Sequence, residues 1–206
     1  MGDYKIYYND SRIVLTSDCA QMNKNFAKVF TNEKETNEFF SNPVALFDGI
    51  TNVNILAIHN QPEQLLTRLM KSLKLVVAGG GIVWNENNEL LMIYRRGKWD
   101  LAKGKIELNE SIKDGAVREV EEETGVKIES INPEPMHTYH AYKLKGKNSL
   151  KETSWYEMKA KPGQNKLVPQ TEEDIDEVRW VKRTDLKKYE RGCYPLIWDL
   201  IAGFQL

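Results

Sequence analysis

GKIELNESIKDGAVREVEEETGV, residues Gly104 to Val126, is the stretch from which the fold of this chain can be read. Its second half has the composition of a helix. Ser111 is a good N-cap and Gly125 a good terminator, which predicts a helix over 111–124. At about 100° per residue, Ile112, Ala116 and Val120 form its apolar stripe. Glu123 projects between Ile112 and Ala116, and Glu119 lies just beyond Ile112. A solvated helix keeps its acids opposite the stripe. Here they border and enter it. Residues three and four apart are neighbours on one helix face, so Glu119, Glu122 and Glu123 are expected to converge on one volume. Anions gathered in this way repel unless a cation sits among them. Hard carboxylate oxygens suit Mg²⁺ or Mn²⁺ and not Zn²⁺. The residues alone therefore point to a divalent-metal site on a helix, with a solvated acidic face as the alternative.

Working outward, three glycines (Gly79 to Gly81) interrupt the apolar run from Leu75 to Trp84. Glycines inside a strand pattern signal close backbone approach or a bulge. Glu89 to Tyr94 reads as the next strand, and Arg95-Arg96-Gly97-Lys98 as a basic loop. Strands are expected near His137 to Leu144, Thr153 to Ala160 and Glu177 to Val181. Helices are expected at Thr184 to Tyr189 and Tyr194 to Gly203. In the first seventy residues, Tyr4 to Tyr8 and Arg12 to Thr16 read as a hairpin across Asn9-Asp10-Ser11. Gln21 to Phe30 is weakly helical. A helix opens at Asn32 to Glu35 and stops near Asn42-Pro43. Asn52 to His59 is a strand, and Pro62 to Leu73 an amphipathic helix.

The chain has 206 residues and a formal net charge of −1, so there is no electrostatic footprint for broad nucleic-acid binding. No apolar run is long enough to span a membrane, and no signal-peptide pattern opens the sequence. Cys19 and Cys193 lie far apart without metal-ligand spacing; both are expected to be buried or half-buried thiols. A cytoplasmic location is the natural expectation.

Written as Gly104-x5-Glu110-x7-Arg118-Glu119-Val120-x-Glu122-Glu123-x-Gly125-Val126, the opening stretch resembles the signature box of the Nudix hydrolases at every fixed position. With average residue usage, a chance match is on the order of one in ten million. The resemblance extends from about Leu75 to about Leu186. It implies an α/β fold, the Nudix α/β/α sandwich around a mixed sheet, over residues 74–206. Residues 1–73 would form an added small α/β domain. A core of that size is marginal alone, so it is expected to pack on the rest of the chain or to build a homodimer.

The resemblance also implies an activity: metal-dependent hydrolysis of a nucleoside diphosphate linked to another moiety, with Mg²⁺ or Mn²⁺ as cofactor. Glu119, Glu122 and Glu123 match the family's metal ligands, and Glu122 or Glu123 also orients the attacking water. Glu110 has a supporting or second metal role, and Arg118 matches an arginine that holds a box glutamate in place. The backbone carbonyl of Lys103 is a ligand in some members. Glu173, with Glu172 second, stands where members place a further acidic group as base or ligand. Trp99-Asp100-Leu101-Ala102-Lys103-Gly104-Lys105 is similar to the W-x-L-P-K-G-K segment of diadenosine and diphosphoinositol polyphosphate hydrolases, with Ala102 in place of proline. Lys103, Lys105, Arg95 and Arg96 are candidate phosphate contacts. His140 and Lys151 are candidates for polyphosphate, and Tyr142 and Tyr156 for stacking on a base.

The expected substrate is a small nucleotide, in the first place a dinucleoside polyphosphate. An ADP-ribose or nucleoside-triphosphate pyrophosphatase is the alternative. A nucleotide-binding regulatory protein without catalysis is a further one, which the intact box disfavours.

Overall fold

The computed structural model describes residues 3–23, 26–42, 46–47, 50, 52–164 and 166–204. In chain order the elements are β1 (Tyr4–Tyr8), β2 (Ser11–Thr16), β3 (Lys28–Phe30), α1 (Glu33–Phe39), β4 (Asn54–Ile58), α2 (Pro62–Ser72), β5 (Lys74–Trp84), β6 (Glu89–Arg95), β7 (Lys98–Asp100), β8 (Lys103–Lys105), α3 (Ile112–Thr124), β9 (Ile128–Ile131), β10 (Met136–Leu144), β11 (Lys147–Ala160), β12 (Ile175–Lys182) and α4 (Pro195–Ala202). Segments of 3₁₀-helix lie at Cys19–Asn23, Thr171–Glu173 and Arg183–Gly192. Two compact units result: Met1–Val76 with Thr138–Glu152, and Val77–His137 with Thr153–Leu206.

In the first unit, β1 and β2 form the expected hairpin, with Tyr8 paired to Ser11 across a turn in which Asn9 takes φ 51°. The sheet is mixed. β4 runs parallel to both β2 and β3, and β1 pairs in parallel with β10 through Ile6–Tyr139 and Tyr7–His140. Those last pairings draw Thr138–Glu152, expected in the second domain, into the first unit. One sheet face carries Ile6, Ile13, Leu15, Ile55 and Tyr139, against Leu65, Leu66 and Leu69 of α2. Each such buried leucine contributes about 1.5–3 kcal/mol. The expected helix over Gln21 to Phe30 is replaced by a 3₁₀ turn and β3, whose pairing with β4 overrides a weak local preference. Asn32 caps α1 through Glu35 N–H; the expected stop near Asn42-Pro43 falls partly outside the described residues.

In the second unit, β6 lies between β5 and β12, with β7 on β6, β8 on β5 and β9 on β11. Alternation gives this sheet two apolar faces. Ile82, Trp84, Leu90, Met92 and Trp155 face Leu186, Ile197 and Ile201 of the C-terminal helical segments. Val83, Leu91, Ile93 and Met158 face Ala116 and Val120 of α3. Helices thus cover both faces, which is the α/β/α sandwich expected. The segment read as a helix from Thr184 is 3₁₀ in form. Cys193 is buried, as expected, whereas Cys19 is exposed; both are free. Among the described residues no helix is long and apolar enough to cross a membrane.

The glycines of β5 show why α3 can lie where it does. A Cβ on Gly79 would sit 2.9 Å from both the Ile112 carbonyl and Ala116 Cβ, and one on Gly81 would sit 2.6 Å from Val120. On Gly80 it would meet Trp155 at 2.7 Å. The strand is bare because α3 packs directly on its backbone.

Candidate functional site

Helix α3 begins and ends as its sequence requires. The Ser111 hydroxyl accepts from Asp114 N–H at 3.1 Å, and Gly125 takes the left-handed conformation at φ 73°. Gly115, Ala116, Val120, Glu123 and Thr124 are its buried residues. Ile112, expected in the stripe, is 38% exposed, because the stripe enters the core only from Gly115 onward.

Arg118 is the centre of the acidic cluster. Its Nε and Nη2 donate to the two oxygens of Glu110 at 3.1 and 2.8 Å. Nη1 donates to Glu119 at 2.9 Å and to Glu122 at 2.8 Å. Nη2 also donates to the Lys105 carbonyl at 3.1 Å. Every N–H of the guanidinium is thereby used. The pairing with Arg118 lowers the Glu110 carboxyl to about 2, and the guanidinium is held charged in turn. Glu119 behaves differently: its partial burial raises its pKa, and the charges of Glu122 and Glu173 act in the same direction. The Glu119 carboxylate lies where a Cβ of residue 104 would be, so Gly104 is required for that approach. Gly104→Ala is therefore expected to displace the end of a flexible side chain at little cost in stability. The denaturation midpoint should stay close to that of the wild type, which a thermal melt would check.

Glu123 does not join this group. It is 1% exposed and turns to the start of β8, where it accepts from Lys103 N–H at 2.8 Å. Arg95 approaches its other oxygen at 3.5 Å. Burial pushes Glu123 up to about 7, against the opposing charges of Lys103 and Arg95. The three box glutamates thus do not meet at one point. Among the described residues no group of three or more acidic, His or Cys side chains is gathered for an ion. Arg118 holds the cation's place for two of the three, and desolvation drives the third to a backbone donor.

The pH consequence has a definite sign. A carboxyl raised from 4.5 to about 7 in the folded state binds its proton more tightly there than when unfolded. Its stabilising contribution is complete below the unfolded value and is lost as pH rises through about 7. Metal-free protein, kept in chelator, should therefore melt at lower temperature as pH rises through this window, and Glu123→Gln should flatten the dependence. Glu110 titrates far lower and does not interfere. An unchanged slope in that variant would contradict the assignment.

The remaining sequence candidates fall in several places. Arg95 pairs with Glu123, and Arg96 pairs at 2.8 Å with Asp174, beside Glu173. Glu172 and Glu173 are exposed on their 3₁₀ turn. Lys103 is half-buried and Lys105 exposed, both on β8. Tyr156 is 7% exposed and packs in the core with Val83, Leu91 and Met158. His140, Tyr142 and Lys151 belong to the first unit. There the His140 and Tyr142 rings stack at 5.6 Å, and the Lys151 ammonium lies 5.8 Å from the Tyr142 ring centre. Two charged contacts escaped the sequence reading: Arg95 with Glu123, and Asp100 with Lys103 at 2.6 Å. The second had a signal, since Asp100 stands in the quoted Trp99 to Lys105 segment; the first had none.

The described residues thus give an α/β/α sandwich in which a carboxylate-rich helix lies on a glycine strand and one arginine binds its acids. Residues 74–197 match the NUDIX domain, and the chain belongs to the Nudix family, whose enzymes act on phosphoric anhydride bonds and generally use divalent metal ions. It is 36% identical over 77 residues to a MutT-like protein of Streptomyces ambofaciens, covering 36% of this chain and 47% of that one. To Nudix hydrolase 8 of Arabidopsis thaliana it is 39% identical over 75 residues, covering 33% of this chain and 20% of the relative. The matches thus span less than half the length of these curated relatives. Among solved structures it is similar to the MutT protein of Methanosarcina mazei Go1, with a TM-score of 0.47 at 22% identity, over 64% of this chain and 94% of that one.

Proposed function

We propose that this chain is a divalent-cation-dependent pyrophosphohydrolase. It cleaves a nucleoside diphosphate linked to another moiety, in the first place a dinucleoside polyphosphate. The observation that carries this reading is the complete box together with its arrangement in space. Glu110, Glu119 and Glu122 are bound by the one guanidinium of Arg118, and Glu123 is buried beside Lys103. The donors fit the group they would hold. They are hard carboxylate oxygens, and burial raises Glu119 and Glu123 in spite of their cationic neighbours. Glu119, Glu122 and Glu123 would bind Mg²⁺ or Mn²⁺, with the Lys103 carbonyl and Glu110 in support. When bound, such a cation neutralises phosphate charge and lowers the pKa of coordinated water.

The chain's own residues supply the rest. Arg118 keeps Glu119 and Glu122 side by side, which their mutual repulsion would otherwise prevent. Lys105, exposed on β8, would contact a phosphate of the substrate. Glu173, exposed on its 3₁₀ turn, would supply a further carboxylate as base or ligand. The substrate class rests on the Trp99 to Lys105 segment.

The test is a phosphate-release screen with Mg²⁺ and Mn²⁺ over dinucleoside polyphosphates, ADP-ribose, nucleotide sugars and nucleoside triphosphates. Metal-dependent turnover of dinucleoside polyphosphates is expected. Preference for ADP-ribose or a triphosphate would keep the chemistry and replace the substrate. No turnover of any of them would remove the enzymatic reading.

A further inference from the structure

Asp100 is the last residue of β7, and nothing in the reaction described above uses it. It is 4% exposed, an expensive place for a carboxylate. Its Oδ1 accepts from Leu101 N–H at 2.8 Å and its Oδ2 from the Lys103 ammonium at 2.6 Å. The ammonium also lies 3.5 Å from the Leu101 carbonyl. Lys103 is therefore gripped twice by buried carboxylates. Asp100 holds its side chain, and Glu123 holds its backbone N–H.

This arrangement gives Lys103 a choice of partner. Its ammonium rides on a flexible four-carbon stem and carries a compact charge. Glu123 is the other buried carboxylate whose charge it already feels. A lysine that closed on Glu123 would fill the coordination sites of that carboxylate and cancel its charge. The structure shows the ammonium turned to Asp100 instead, leaving Glu123 with a backbone donor and a distant Arg95.

We propose that Asp100 is a positioning residue that holds the Lys103 ammonium away from Glu123 and so keeps Glu123 available to a divalent cation. This rests on the reading that Glu123 is one of the cation's ligands. Asp100 is fixed in the ladder by its pairing with Ile93, three residues before Lys103.

The test is Mn²⁺ binding to the substrate-free full-length protein, followed by the electron paramagnetic resonance of the free ion. Asp100→Asn keeps the shape and removes the charge. It is expected to weaken Mn²⁺ binding by about 10–100-fold, as loss of an outer-sphere partner does. Adding Lys103→Met removes the ammonium that would close on Glu123, so the double variant should recover most of that affinity. Recovery by deleting a second charge is a result that general damage to the fold does not produce. Asp100→Asn binding Mn²⁺ as the wild type does would overturn the proposal, as would a double variant no better than the single. If the single variant fails to fold, the double variant decides alone. It replaces a buried ion pair by a neutral one, and Mn²⁺ affinity reduced by about tenfold or more would count against the proposal. Wild-type protein that binds no Mn²⁺ would overturn the metal reading itself, which separates the two failures.

Discussion

Glu122→Gln is expected to lower kcat/KM by at least about 10²-fold, equivalent to about 2.7 kcal/mol of transition-state stabilisation, with the protein otherwise intact. The reason for expecting a clean loss is the position of the side chain. Glu122 is half-exposed, so neutralising it leaves no buried cavity or orphan charge. A glutamine retains a carbonyl oxygen for Arg118 Nη1, which now donates to Glu122 at 2.8 Å. Surface changes of this kind stay within about 0.5 kcal/mol in stability. What glutamine cannot do is offer an anionic oxygen to a cation. Steady-state kinetics at saturating Mg²⁺, with a melt on the same preparation, separates the effects. Wild-type turnover by the variant would exclude Glu122 as a ligand. A large drop in melting temperature would show instead that its bond to Arg118 is chiefly structural.

The second large effect concerns the fold and lies on β5. Gly80→Val is expected to destabilise by at least about 3 kcal/mol, the upper end of ordinary overpacking. A Cβ at residue 80 would stand 2.7 Å from Trp155 and Lys103 Cβ and 2.8 Å from the Ala102 carbonyl. Trp155 is 1% exposed and has nowhere to turn, and the Ala102 carbonyl is backbone that accepts from Gly81 N–H at 3.1 Å. Neither neighbour is the loose end of a side chain. Valine adds two further methyl groups to the same contact. The consequence should reach the site, because the displaced segment carries Lys103, whose N–H holds Glu123. Urea denaturation would read the loss directly. A midpoint within error of wild type would mean that β5 has slack that the packing does not show. The contrast with Gly104→Ala is instructive: there the obstructing group is a carboxylate end, which can move, so function is lost and the fold is kept.

Much of this protein was legible in local chemistry. The box from Gly104 to Val126 identified the family, and Ser111 and Gly125 marked the helix ends, because capping depends on residues next to one another. The three glycines of β5 announced a close approach before the partner was known. The resemblance carried by the box implied a mixed sheet sandwiched between helices. Even the burial of Glu123 could be read from its angle on the helix.

The tertiary structure decided what depends on residues distant in the chain. Periodicity placed Glu119, Glu122 and Glu123 on one side of α3, yet only the packed fold sends Glu123 to Lys103 and Arg95 while Arg118 binds the other two. That division follows from which donors the packed chain brings to each carboxylate, and those donors have no signature in helical spacing. The same holds for Thr138–Glu152, which joins the first unit because Ile6 and Tyr7 pair with Tyr139 and His140. It holds for Lys28–Phe30, a strand only because β4 lies beside it. Helix caps and stripes are written within a few residues, whereas strand partners and buried charge pairs are chosen by the free energy of the whole packed chain.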